Sequence, residues 1–94
     1  MNGAKSVQVR IEGRVQGVWY RAWTRGEAVK RGLAGWVRNR ADGSVEALFS
    51  GPADAVDAMV RDCWDGPPAA RVDRIAVNAS SPPSSPGFQQ LPTL

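Results

Sequence analysis

The stretch SVQVRIEGRVQGVWYR, residues 6–21, combines a strand pattern, a glycine-bounded turn and the start of a helix. In its first part apolar and polar side chains alternate, and the apolar set consists of Val7, Val9 and Ile11. This alternation is the period of a strand with one buried face. We predict that the strand ends at Gly13 and that the chain turns through Gly17 into the helix.

The remainder of the chain continues to alternate between helical and extended patterns. Helical spacing from 20 to 31 predicts a first helix, and segment 35–39 predicts a short second strand. The Asp42-Gly43 pair is typical of a hairpin turn. The stretch SVEALFS follows with apolar side chains at alternate positions, so the second and third strands are expected to form a hairpin.

A second amphipathic helix is predicted in the stretch GPADAVDAMVRDCW, with Pro52 as a residue of its first turn. Charged side chains occupy one face, and the apolar side chains of the other face are Ala55, Val56, Met59, Val60 and Cys63. Looser alternation in RVDRIAVNA, residues 71–79, predicts a fourth strand. The helix is therefore expected to pack its apolar face on the sheet.

This order of elements predicts an α+β fold. It is the ferredoxin-like βαββαβ sandwich, an antiparallel sheet with two helices on one face. The Pro/Ser-rich stretch 80–87 is expected to be a flexible connection. We predict a single domain over 1–94, with its core at 6–79 and a C-terminal segment at 88–94 that is either a short fifth edge strand or a tail.

Length and composition exclude several classes of protein. A chain of 94 residues has room for one core. The single cysteine excludes an internal disulfide, and the lack of histidine excludes His-dependent triads and the common zinc sites. The N-terminal stretch has no leader pattern and no run is long enough to cross a membrane, so a soluble cytoplasmic protein is expected.

The charge is distributed unevenly along the chain. Residues 1–43 hold nine Lys/Arg against three Asp/Glu, a net charge of +6, whereas residues 44–94 hold three against six, a net charge of −3. Such a bias favours an anionic ligand near the first half, either a small phosphate compound or a nucleic-acid backbone. A solvated basic face is the plain alternative.

The loop between the first strand and the first helix has the composition of an anion site. Backbone N–H groups at a helix N-terminus lack partners within the helix, and the helix dipole adds to their field. Gly13 and Gly17 allow a tight turn and a close approach to a ligand. Arg21 falls in the first helical turn, where a guanidinium can contact a phosphate through two hydrogen bonds. An ordinary strand-to-helix loop is the alternative.

Two segments resemble the signatures of the acylphosphatase family. Residues 13–21, GRVQGVWYR, match G-x-V-Q-G-V-x-[FY]-R at every fixed position, and residues 35–45, GWVRNRADGSV, match G-[FYW]-V-x-N-x-x-x-G-x-V. The resemblance spans residues 7–77 and implies the ferredoxin-like fold. The chain departs from the usual pattern at Trp23, at Arg31 and in its Pro/Ser-rich tail, which leaves the docking of the last strand open.

The resemblance also implies an activity, the hydrolysis of the carboxyl–phosphate bond of acylphosphates. It implies that Arg21 binds the phosphate and that Asn39 orients the attacking water, although the pattern alone makes Asn39 a turn residue. The implied phosphate-binding loop consists of Gly13, Arg14, Val15, Gln16, Gly17 and Val18. Positioning and charge stabilisation dominate phosphoryl transfer, so no cofactor and no metal are expected.

The tryptophans and the cysteine have plain structural interpretations. Trp19, Trp36 and Trp64 could be stacking platforms for nucleic acid, but packing in the core or at its rim is favoured. Cys63 lies on the apolar face of the second helix and is interpreted as a small core residue.

Two other functions compete with hydrolysis. The fold also carries RNA recognition motifs, but their aromatic signature is missing from this sequence. A module for protein interaction or carbamoyl transfer in a larger maturation protein is the second alternative, which a free-standing chain disfavours. We expect a monomer that hydrolyses small acylphosphates, releases inorganic phosphate and binds neither membrane nor nucleic acid. The preferred acyl group has no recognisable signature in the sequence.

Overall fold

A computed structural model describes residues 3–94 as two helices packed on one five-stranded sheet. The elements are β1 (Ala4–Arg14), α1 (Tyr20–Lys30), β2 (Ala34–Asn39), β3 (Val45–Pro52), α2 (Ala53–Cys63), β4 (Arg71–Ala79) and β5 (Phe88–Gln90). Across the sheet the strands follow the order β4-β1-β3-β2-β5. The predicted ferredoxin-like arrangement is confirmed, including the short fifth strand at the sheet edge.

The sheet is mixed rather than wholly antiparallel. Strands β1 to β4 pair antiparallel as predicted, but β5 pairs parallel with β2. The reason is the path of the chain after β4. The connection 80–87 joins the two opposite edges of the sheet along one end, so β5 runs opposite to β4 and in the direction of β2.

The core lies between the sheet and the two helices. The strands contribute alternate apolar side chains, and α2 contributes Val56, Met59 and Cys63, all fully buried. Phe88 of β5 stacks on Phe49 of β3 with ring centroids 5.8 Å apart. This contact fixes the C-terminal segment on the sheet, because an aromatic pair buries a large apolar area.

Several element boundaries differ from the predicted ones by one or two residues. β1 continues to Arg14, α1 ends at Lys30, and Pro52 precedes α2 instead of standing in its first turn. Pro52 has an extended backbone and pairs with Ala4. Its position is therefore set by the β1–β3 ladder, which continues up to the first helical residue.

A bulge in β1 directs the chain out of the sheet toward α1. The register between β1 and β4 shifts between Glu12 and Gly13. Gly13 has a φ of 131°, and a Cβ atom there would lie 2.2 Å from the backbone oxygen of Arg71. Only glycine fits so close to a neighbouring strand in this conformation. Gly13 thus sets the direction in which the following loop leaves the sheet.

The first turn of α1 is fixed by the buried Tyr20. Its hydroxyl donates a hydrogen bond to the backbone oxygen of Cys63 at the end of α2, and burial strongly raises the pKa of this phenol. Burial likewise raises the pKa of the Cys63 thiol to about 12, as suits a core residue. The hydrogen bond holds the two helices together next to the start of α1.

Neither helix within residues 3–94 is long and apolar enough to cross a membrane.

Candidate active site

A cleft of about 330 Å³ opens where the β1–α1 loop meets the ends of β2 and β5. Its volume is near the lower limit for small-molecule sites. The lining residues are Val15, Gly17, Trp19, Tyr20, Arg21, Ala22, Asn39 and Gln90. Two segments far apart in sequence, the loop and the β2 end, thus meet in one place.

The loop supplies a row of free backbone amides at the start of α1. Among residues 3–94, the N–H groups of residues 16–21 have no hydrogen-bond partner. Gly17 and Trp19 both have left-handed backbones, with φ values of 73° and 68°. Such conformations turn successive N–H groups toward one concavity, and the helix dipole adds positive potential there. The loop backbone is suited to bind an anion.

Side chains of the loop anchor it on two sides. Val15 and Val18 are buried in the core. The Gln16 amide Nε2 donates to the backbone oxygens of Arg40 at 2.8 Å and Ser44 at 2.9 Å. The loop is therefore tied both to the core and to the β2–β3 turn, with its backbone left to face the cleft.

Arg21 is the cationic side chain of the cleft. It is half-buried in the first turn of α1, a turn without acidic residues, and it forms no ion pair within the described range. Arg14, Arg25 and Arg61 also lack such a pair, but they are exposed and outside the cleft. A cation at a helix N-terminus is unfavourable without an anion.

Asn39 is placed at the cleft by the end of β2. Its backbone is held by pairing with Val45 and by the Leu94 N–H, which donates to the Asn39 oxygen at 3.0 Å. The side-chain oxygen Oδ1 is buried and has no hydrogen-bond partner in the described part of the chain. A buried acceptor left unpaired costs about 1–3 kcal/mol. A donor in the cleft, such as a water molecule, would satisfy it.

The β2–β3 turn that follows Asn39 is held by Asp42. The Ser44 hydroxyl donates to its Oδ1 at 2.6 Å and the Ser44 N–H at 2.9 Å. These hydrogen bonds, together with the nearby Arg10, lower the pKa of Asp42 to about 2. The carboxylate is thus charged at neutral pH, and the turn is fixed without a ligand.

The other arginines near β2 are neutralised on the open face of the sheet. Arg38 and Arg40 both pair with Glu46, at 2.8 and 3.1 Å. Burial acts to raise the pKa of Glu46, but hydrogen bonds from the arginines and from Gln8 outweigh it, so the pKa is lowered. Glu46 stays ionised and compensates both guanidinium groups. Of the side chains between residues 3 and 94 that line the cleft, Arg21 is the only charged one.

The structure distributes the predicted site residues over three positions. Val15, Gly17, Arg21 and Asn39 line the cleft. Gln16 and Val18 support the loop from behind. Gly13 and Arg14 lie in β1, paired with β4, and do not line the cleft. The close approach seen at Gly13 is to the backbone of Arg71.

The predicted site residues did not include four others that also line the cleft, which are Trp19, Tyr20, Ala22 and Gln90. The expectation of packing in the core or at its rim is wrong for Trp19, which is 81% exposed and has a left-handed backbone. Trp64 is also exposed, and Trp36 lies under the Arg38 guanidinium on the open sheet face. Gln90 reaches the cleft only because β5 docks beside β2.

Comparison with known proteins gives a consistent result. The sequence model of the acylphosphatase family matches residues 7–90. A curated acylphosphatase of Rhodospirillum rubrum is 60% identical over 90 residues, which cover 96% of this chain and 99% of that protein. The two sequences therefore correspond over nearly their whole lengths.

Solved structures give the same match in three dimensions. An acylphosphatase from Coxiella burnetii superposes with a TM-score of 0.90 at 30% identity, over 96% of this chain and 94% of that one. An acylphosphatase from Bacillus subtilis superposes with a TM-score of 0.89 at 39% identity, over 95% and 99%. Similarity in sequence and in fold thus points to one family.

Proposed function

This chain belongs to the acylphosphatase family, and on that basis we propose how its cleft hydrolyses the carboxyl–phosphate bond. The activity is that of a hydrolase acting on acid anhydrides, with small acylphosphates as substrates and a carboxylate and inorganic phosphate as products. One observation carries the proposal. One cleft and its loop bring together Arg21, the amides of residues 16–21 and the Asn39 oxygen, all of which lack a partner within residues 3–94.

The phosphoryl group binds to the loop and to Arg21. The free N–H groups donate to its oxygens, and the guanidinium adds a two-pronged contact that suits a tetrahedral oxyanion. The loop amides keep their positions without a ligand, since the loop is anchored by Val15, Gln16 and Val18. Preorganised donors of this kind stabilise the charge of the transition state.

Asn39 positions the water that attacks phosphorus. Its Oδ1 accepts a hydrogen bond from the water, which directs the water oxygen toward the bound phosphoryl group. The new P–O bond forms as the bond between phosphorus and the acyl oxygen breaks, and the acyl group leaves as a carboxylate. A phosphoryl oxygen takes the proton of the water, so the reaction requires no histidine and ends with inorganic phosphate in the cleft.

The finer expectations about context stay predictions. These are action as a monomer in the cytoplasm, the absence of a nucleic-acid partner, and the division of the chain into a core at 6–79, a connection at 80–87 and a C-terminal segment at 88–94. Sedimentation velocity of the pure protein would test whether it is a monomer. An RNA-binding assay at several salt concentrations would test the absence of a nucleic-acid partner.

We expect hydrolysis of benzoyl phosphate by the pure protein to continue in excess EDTA and to be inhibited competitively by inorganic phosphate. Phosphate competes because it is the group that the loop and Arg21 bind. The measurement is the initial rate at several phosphate concentrations, at constant ionic strength, before and after treatment with the chelator. Loss of the rate in EDTA with recovery on adding a divalent cation would contradict the mechanism, and so would inhibition that is not competitive.

A further inference from the structure

Trp19 lines the cleft and is exposed, and no side-chain interaction with another described residue holds it there. It lies directly before α1 and is 81% exposed, the largest exposed fraction among the bulky hydrophobic residues that the structure describes. Within residues 3–94 its indole forms no hydrogen bond and no ring contact. The fold therefore gains little from this side chain.

The backbone of Trp19 is also unfavourable for a tryptophan. Its φ of 68° and ψ of 21° are left-handed, and it is the only residue other than glycine with a positive φ between residues 3 and 94. Glycine adopts this conformation without a steric cost, whereas a bulky side chain does not. Backbone strain of this kind is typical of functional sites.

The cleft has a polar part and a neutral part. The polar part comprises Arg21, the Asn39 oxygen and the free amides, and in the proposed function it is filled by the phosphoryl group and the water. The neutral part consists of uncharged lining residues, among them Trp19, Tyr20, Ala22 and Gln90, and Tyr20 is buried whereas Trp19 is 81% exposed. This neutral part remains for the acyl group, and the indole is its largest apolar surface.

We propose that the Trp19 indole is the surface on which the acyl group of the substrate binds. This inference rests on the proposed function, because the proposed function places the phosphoryl group in the polar part of the cleft. An indole offers a flat apolar face, on which a planar aromatic ring or a bulky apolar group gains stacking and burial that a methyl group cannot. The protein therefore prefers aromatic and large apolar acylphosphates to short aliphatic ones.

The test compares benzoyl phosphate with acetyl phosphate in variants at this position. Trp19→Gly keeps the loop amide, removes the indole and relieves the strained backbone, so it is expected to fold. The ratio of kcat/KM for benzoyl phosphate to kcat/KM for acetyl phosphate should fall about five- to tenfold, which is the usual scale of one aromatic contact. Trp19→Phe should restore most of the ratio. Trp64→Ala removes an exposed tryptophan outside the cleft and should leave the ratio unchanged.

Equal losses for both substrates in Trp19→Gly, or a ratio that changes as much in Trp64→Ala, would overturn the proposal. Failure of the underlying function gives another result. Arg21→Ala should impair both substrates together, and unimpaired hydrolysis in that variant would reject the phosphate site itself. The selectivity ratio of the Trp19 variants separates the two ideas, because it cancels any common loss of phosphate binding.

Discussion

Arg21→Ala is expected to lower kcat/KM for benzoyl phosphate by about 10³-fold or more and to weaken inhibition by inorganic phosphate greatly, on the scale known for arginines at transferring phosphoryl groups. The reason is that, among the residues the structure describes, Arg21 is the only charged side chain lining the cleft. Arg21→Lys should be nearly as impaired, because an ammonium cannot reproduce the planar two-pronged contact. Steady-state kinetics and the phosphate inhibition constant measure both effects.

Arg25→Ala is the matched control for this prediction. Arg25 also lies on α1 and also lacks an ion pair among residues 3–94, but it is exposed and outside the cleft. Its loss changes the net charge by the same amount. If the two alanine variants lose activity to the same extent, the effect comes from general charge and Arg21 has no specific role. Near-normal turnover and phosphate affinity in Arg21→Lys would lead to the same conclusion.

Asn39→Ala should lower kcat by about 10²-fold or more while leaving the inhibition constant for phosphate nearly unchanged. A group that orients water acts mainly in the transition state, whereas a group that binds phosphate also contributes to the ground state. The Asn39 oxygen is buried and unpaired within the described residues, so its removal should not disturb other hydrogen bonds of the folded protein. The measurement is kcat beside the phosphate inhibition constant.

Two controls make the Asn39 result interpretable. Asn78→Ala removes an exposed asparagine from β4, away from the cleft, and should have parental kinetics. Far-UV circular dichroism and the thermal midpoint should be the same in all variants, because Asn39 precedes the β2–β3 turn. Equal losses of phosphate binding and turnover in a well-folded Asn39→Ala protein would place Asn39 among the phosphate ligands and reject its role in orienting water.

Local patterns were sufficient to predict most of the fold. Two of these patterns depend only on neighbours in sequence: the strand alternation at Val7, Val9 and Ile11, and the apolar face of α2. All three strand residues are buried, and so are the residues of the predicted helix face other than Ala55 and Val60. That Arg21 and Asn39 share one site was predicted from the two family signatures. An arginine in a first helical turn and an asparagine before a hairpin turn do not by themselves indicate that the two residues lie close together. A hairpin at Asp42-Gly43 needs only its turn residues.

Features that depend on distant contacts could not be predicted in this way. Gly13 was assigned to a ligand loop, but a side chain at this position would clash with the backbone of Arg71. Arg71 belongs to β4, which follows much later in the chain. The docking of β5 depends on the stack of Phe88 on Phe49, and its parallel direction on the path of the connection 80–87 between the two sheet edges. Gln90 reaches the cleft for the same reason. The exposure of Trp19 follows from its left-handed backbone, which no pattern of residue types indicates.

The most direct test of the phosphate site is a titration of the ¹⁵N-labelled protein with inorganic phosphate, followed by amide chemical shifts at constant pH and ionic strength. The free amides of residues 16–21 should show the largest shift changes, with a single saturating curve that disappears in Arg21→Ala. Sodium chloride at matched ionic strength should leave them unchanged. Saturating changes centred instead on the open face of the sheet, around Arg10 and Arg38, or no changes at residues 16–21, would contradict the account.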